Sequence, residues 1–188
     1  MNFFERYDKN IIEPFALKTI SKSFSENYSK YFSPKDLDNF DYISEDGISA
    51  LEITTVIPLN VMEVYKYEKL LNQGNKTPCT KTIADVKTTD DGSLVSYYGG
   101  SIHEIKINVS KAISKKNDKA KKRIINSKIK TADLCVCIED GGLFEKKDFE
   151  SFFSNLNETL FENIFFITSS HFISYNKNEG FIEHERKI

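Results

Sequence analysis

Three cysteines in 188 residues are too few for a disulfide framework. Cys135 and Cys137 lie two apart in an apolar run, so a strand points both the same way, and Cys79 stands alone in a loop. No Cys/His set has the count or spacing of a zinc site, and structural zinc is not expected. Long apolar runs are also missing: "LCVCI" and "IFFI" fall far short of a membrane span. The opening "MNFFERYDKN" carries Glu5, Arg6 and Asp8 and lacks the apolar segment of a signal peptide. No membrane association and a cytoplasmic location are therefore the expectation. Neither a P-loop nor G-x-G-x-x-G appears, which leaves nucleotide binding of those kinds unsupported. There is no internal repeat and no low-complexity segment.

What is present is globular. Hydrophobic residues make up 39%, with 15 Phe and 9 Tyr, and a 29% charged fraction of mixed sign argues against disorder. The length suits one domain over 1–188. Net charge is −2, but Lys106 to Lys130 holds ten basic residues against one acid, Asp118. That segment is +9 and the remainder −11. Such an imbalance fits either a polyanion binder or a solvated lysine-rich helix.

Apolar spacing predicts helix in two pieces over the first ~30 residues, with Pro14 in the first turn of the second. Phe15, Ala16, Thr19, Ile20 and Ser23 form its stripe. Strands follow at about 39–45 and 48–57, then a helix "VMEVYKYEKLL" opened by Pro58 and Asn60. "KTIADVK" and "SLVSYY" flank an Asp-Gly turn as a hairpin. A basic helix over about 104–126, a buried strand "ADLCVCIED", a helix at about 145–160, a strand "NIFFITS" and a hairpin around "NKNEG" complete the chain. The fold class is α/β (α+β), with helices covering a central mixed sheet and about 58–103 as an insertion.

Residues 40–55, "FDYISEDGISALEITT", read as a hairpin on Asp46-Gly47. In that register opposed residues sum to 93, so Asp41 faces Glu52 across the strands. Like charges so placed repel, and a divalent ion between them reverses the sign. The alternative is a solvated or salt-bridged pair, although Glu52 interrupts an apolar, β-branched run and calls for a partner.

"FDYI" followed by "LEIT" resembles the PD-(D/E)XK nuclease-like superfamily, in the variant with Thr where Lys is usual. Phe40 stands where Pro is common, Asp41 and Glu52 match the acids, and Thr54 takes the Lys position. The resemblance covers element order over about residues 1–140 and implies a restriction-endonuclease-like core. It implies Mg²⁺ or Mn²⁺ held by Asp41, Glu52 and the Ile53 carbonyl, and hydrolysis of nucleic-acid phosphodiesters, DNA before RNA. Some members supply the lysine from the following helix. Plotted at ~100° per residue, Ile105, Val109, Ala112, Ile113, Ala120 and Ile124 form a stripe with Lys116 near its middle. Lys116 either snorkels out or meets an anion, and "ISKKNDK" resembles the helix lysine signature of the Thr-bearing members.

In that reading Lys116 stabilises charge on the phosphoryl oxygens or orients water, while Thr54, being neutral, only orients ligands. Lys111, Lys115, Lys119, Lys122 and Arg123 grip phosphates without reading sequence, and cutting both strands favours a homodimer. Glu13 adds a carboxylate or merely serves a helix start. An inactive nuclease-fold module that binds nucleic acid or a protein is the other reading, favoured by Thr54. His103 beside Glu104 lacks an orienting partner. His171 lies near Ser169 and Ser170, without the G-x-S-x-G elbow of a hydrolase. "EDGGLF" at 139–144 is either a loop near the site or a helix-entry turn.

Overall fold

The computed structural model describes residues 8–34, 40–58, 102–125, 127–139, 144–152 and 156–187, with the backbone alone of 86–88 and 94–96. Helix α1 (Lys9–Ser23) starts where the Asp8 carboxylate accepts the Asn10 N–H at 2.9 Å. It is one helix followed by a 3₁₀ turn (Glu26–Lys30), and Pro14 lies inside it rather than at the start of a second helix. Pro14 and Asn10 are both exposed. The backbone bond that Pro14 cannot make is thus lost on the watered side, near the helix start, where it costs least. Ile12, Ala16, Thr19 and Ile20 form the buried stripe.

The hairpin strands are β1 (Tyr42–Ile43) and β2 (Ser49–Val56). Tyr42 pairs with Leu51 and Ile43 with Ala50, the expected register. The loop differs: it runs from Ser44 to Ser49, with the Gly47 N–H on the Ser44 carbonyl and Gly47 at φ +70°. Asp46 Oδ1 takes the Ile48 N–H at 3.0 Å and the Ser44 hydroxyl at 2.6 Å, which prevents the tighter two-residue turn. Both loops are centred on the same point, so the register survives the change.

Strands β3 (Val86–Thr88) and β4 (Leu94–Ser96) form the expected antiparallel ribbon. Its Asp-Gly turn, the helix expected at "VMEVYKYEKLL" and Cys79 lie outside the described residues. Helix α2 (Ile102–Ile125) is the basic helix. Strand β5 (Thr131–Ile138) precedes α3 (Lys146–Phe152), which is shorter than expected and is followed by a 3₁₀ turn at Leu156–Glu158. Strands β6 (Asn163–Ile167), β7 (Phe172–Asn176) and β8 (Gly180–His184) close the chain.

The main sheet has the order β1-β2-β5-β6-β7-β8. The pairs β2–β5 and β5–β6 are parallel and the outer pairs antiparallel, so the sheet is mixed and the α/β class holds. Alternate side chains feed two cores. Leu51, Ile53, Cys135, Cys137, Phe165 and Ile167 pack with Ile12, Ala16 and Ile20 of α1. Ala50, Val56, Leu134, Val136, Ile164 and Phe166 pack with Ile105, Val109, Ile113 and Ala120 of α2 and Phe149 of α3. Helices therefore cover both faces, as parallel strands require. Cys135 and Cys137 point the same way and are buried and free. Among the described residues, no helix is long and apolar enough to cross a membrane.

Candidate active site

Glu52 follows the Ala50 side of β2 toward α2, and its side chain is 3% exposed. An acid that deep must be neutralised or hydrogen-bonded, and two cations of α2 reach it. Lys116 Nζ donates to Glu52 Oε1 at 2.6 Å, and Arg123 Nη1 to Oε2 at 2.9 Å. Lys116 and Arg123 are seven residues apart, two helical turns, so they share a face. The Arg123 guanidinium also lies over the Phe40 ring, 5.5 Å from its centre.

Asp41 arrives from the β1 end of the hairpin, just before Tyr42. Its Oδ2 accepts the Ile53 N–H at 2.7 Å, and Oδ1 accepts Lys9 Nζ at 2.9 Å. Lys116 Nζ lies 3.7 Å from Asp41 Oδ2 and donates to the Ile53 carbonyl at 2.8 Å. Lys9 also pairs with Glu13 at 3.0 Å, one turn along α1. The result is an alternating chain of charges: Glu13, Lys9, Asp41, Lys116, Glu52, Arg123.

The electrostatics follow. Burial pushes the Asp41 carboxyl up, but the Ile53 amide and the Lys116 and Lys9 ammoniums outweigh it, and the net direction is down. Glu13, with fewer donors, is raised by burial against the pull of Lys9. Hydrogen bonds to Asp41 and Glu13 raise Lys9. Asp41 is thus favoured as a carboxylate and Lys9 as an ammonium.

Asp41, Glu52, the Ile53 carbonyl and Lys116 are thus brought together from three chain segments. The cation between the acids is the protein's own ammonium. Among the described residues, no group of three or more His, Cys, Asp or Glu side chains is arranged to hold a metal ion. Thr54 lines an adjoining cleft of about 190 Å³ with Lys9, Ile12, Glu13, Ile53 and Thr55, rather than joining the charge chain. Arg123, read from sequence as a phosphate contact, is turned to Glu52, while Lys111, Lys115, Lys119 and Lys122 are exposed.

The remaining candidates stand apart. His103 lies within the first turn of α2 and is exposed, about 20 Å along the helix from Lys116. His171 Nδ1 meets Glu183 Oε1 at 2.6 Å, at the β7–β8 side of the sheet. Ser169 and Ser170 are exposed in the preceding bend. Of "EDGGLF", 140–143 lie outside the described residues. The sequence reading missed Lys9 and the inward role of Arg123. The seven-residue spacing of Lys116 and Arg123 carried a local signal for the latter, whereas the Lys9 bond to Asp41 spans 32 residues. Comparison with protein-family models, curated proteins and solved structures finds no match to the chain.

Proposed function

We propose that this chain is a PD-(D/E)XK-like nuclease domain that hydrolyses phosphodiesters of nucleic acid, DNA in preference to RNA. The observation that carries this reading is the meeting of Lys116 Nζ with Glu52 Oε1 at 2.6 Å, the Ile53 carbonyl at 2.8 Å and Asp41 Oδ2 at 3.7 Å. Two hairpin acids, a backbone carbonyl and a helix lysine form the constellation such a hydrolase needs.

The donor chemistry fits Mg²⁺ or Mn²⁺. Two carboxylates and a carbonyl are hard oxygen donors, a set that substrate phosphate and water complete. The ammonium seated among them marks a place where positive charge is held. Asp41, Glu52 and Ile53 would hold the ion, which when bound polarises a phosphoryl oxygen and lowers the pKa of a bound water. The chain's own residues do the rest. Arg123 fixes Glu52 through Oε2, so that Oε1, which accepts Lys116, faces the seat. The Ile53 N–H and Lys9 fix both oxygens of Asp41. Lys116 supplies a mobile positive charge for the phosphoryl oxygens. The Thr54 hydroxyl, in the cleft, orients water. Lys111, Lys115, Lys119 and Lys122 contact flanking phosphates.

A second reading has an observation of its own. Glu52 already has a cation on each oxygen and Asp41 a donor on each, so the network is electrically complete without a metal. Such a site suits a module that binds without cutting. Mg²⁺-dependent nicking of supercoiled plasmid, abolished in Glu52→Ala and Lys116→Ala, supports the nuclease. Salt-sensitive duplex binding with no nicking at any Mg²⁺ or Mn²⁺ concentration supports the module.

A further inference from the structure

We infer that the Lys116 ammonium is a resident cation that a divalent ion must displace, the two exchanging at one seat. This rests on the nuclease reading and specifies how its metal seat is filled. The ammonium lies 2.6 Å from Glu52 Oε1 and 2.8 Å from the Ile53 carbonyl. An ion bonded at about 2.1 Å to the same oxygens would meet it at close range with like charge. Both cannot occupy the seat.

The donors keep their places when Lys116 leaves. Glu52 stays tied through Oε2 to Arg123, whose planar group rests on Phe40. Asp41 stays tied by the Ile53 N–H and by Lys9. Lys116 is also built to move. Its charge is a compact, strongly hydrated point on a flexible stem, and its side chain is 18% exposed, so water lies within reach. Arg123 is the fixed cation of the pair and Lys116 the exchangeable one.

The test is Mn²⁺ binding, measured by titration calorimetry on the full chain and on Lys116→Met and Lys121→Met. Lys121 is exposed on the same helix and controls for the loss of one charge. Exchange predicts that Lys116→Met binds Mn²⁺ about tenfold more tightly, because the ion no longer breaks charge-assisted hydrogen bonds. Lys121→Met should stay within about twofold. A second measurement needs no variant: acylation of lysines in the wild-type chain, read by mass spectrometry with and without Mg²⁺. Labelling of Lys116 should rise several-fold with Mg²⁺ while that of Lys121 holds still. Equal Mn²⁺ affinity in wild type and Lys116→Met, or unchanged Lys116 labelling, overturns the exchange; if the wild type still nicks plasmid, the nuclease reading stands. No Mn²⁺ binding to any of the three proteins at millimolar ion overturns both.

Discussion

Glu52 and Asp133 sit on neighbouring parallel strands, both deep in apolar runs, at 2% and 6% exposed. Asp133 pairs with Leu51 and so faces α1, while Glu52 pairs with Leu134 and faces α2. Glu52 is met by two cations. Asp133 is met by neutral donors: the Tyr28 hydroxyl at 2.7 Å, and the Asn163 N–H and side-chain amide at 2.9 and 3.0 Å. Burial pushes the Asp133 carboxyl up to about 6 against those hydrogen bonds, while Asp41, in the cationic site, is held down. One face thus sets its acids against cations. The other uses an acid as a tie between the 3₁₀ turn after α1 and the start of β6. Burial alone does not mark a site; the charge of the partners does.

The largest break in that contrast is Glu52→Ala. It leaves Lys116 and Arg123 facing each other with their shared counter-charge gone. Removing one member of a buried ion pair costs 3–5 kcal/mol. With both cations about a fifth exposed, a loss of about 3 kcal/mol in urea unfolding is expected, together with loss of nicking. Stability within a few tenths of wild type would show the cations satisfied by water, and the site far wetter than its burial implies.

Asp133 sharpens the comparison next. Asp133→Ala strands the Tyr28 hydroxyl and the Asn163 amides, at a cost of about 2 kcal/mol, and should leave nicking by the folded protein intact. The pH dependence separates the two acids by sign. A carboxyl raised in the fold to about 6, from about 3.9 unfolded, adds stability below pH ~4 that is lost as pH rises through ~6. Asp41, lowered in the fold, adds stability above the unfolded value that is lost as pH falls. Chemical denaturation from pH 4 to 7 should show a decline of about 2 kcal/mol attributable to Asp133, absent in the isosteric Asp133→Asn. An identical profile in Asp133→Asn would mean that Asp133 titrates normally.

How much of this was legible is itself uneven. The Asp41–Glu52 register followed from one turn and the period of two along a strand, both local properties. Lys116 followed from helical period. Asp133 carried the same warning as Glu52, a lone acid in an apolar strand. However, its partners Tyr28 and Asn163 lie 105 and 30 residues away, and nothing local selects them. The same limit hid Lys9, whose bond to Asp41 spans 32 residues. Pro14 suits a helix start by its missing donor, yet it stands inside α1 because its side of that helix faces water. The turn at Ser44 to Ser49 changed type because side chains of Ser44 and Asp46, not glycine alone, hold it.

The smallest effects belong to the outer face of α2, where the contrast can be run within one residue type. Lys111, Lys115, Lys119 and Lys122 recur about once per turn and are exposed, whereas Lys116 is tied to Glu52 and Ile53. Alanine at any of the four should change stability by less than about 0.5 kcal/mol. If they contact phosphates, each replacement should lower the slope of log affinity for duplex against log salt by about 1. Lys116→Ala should do the reverse, costing stability measurably and moving the salt slope little, since its charge is already matched by Glu52 within the fold. A Lys119→Ala variant as destabilised as Lys116→Ala, or a salt slope that moves only with Lys116, would mean that the helix's inner and outer lysines had been assigned the wrong way round.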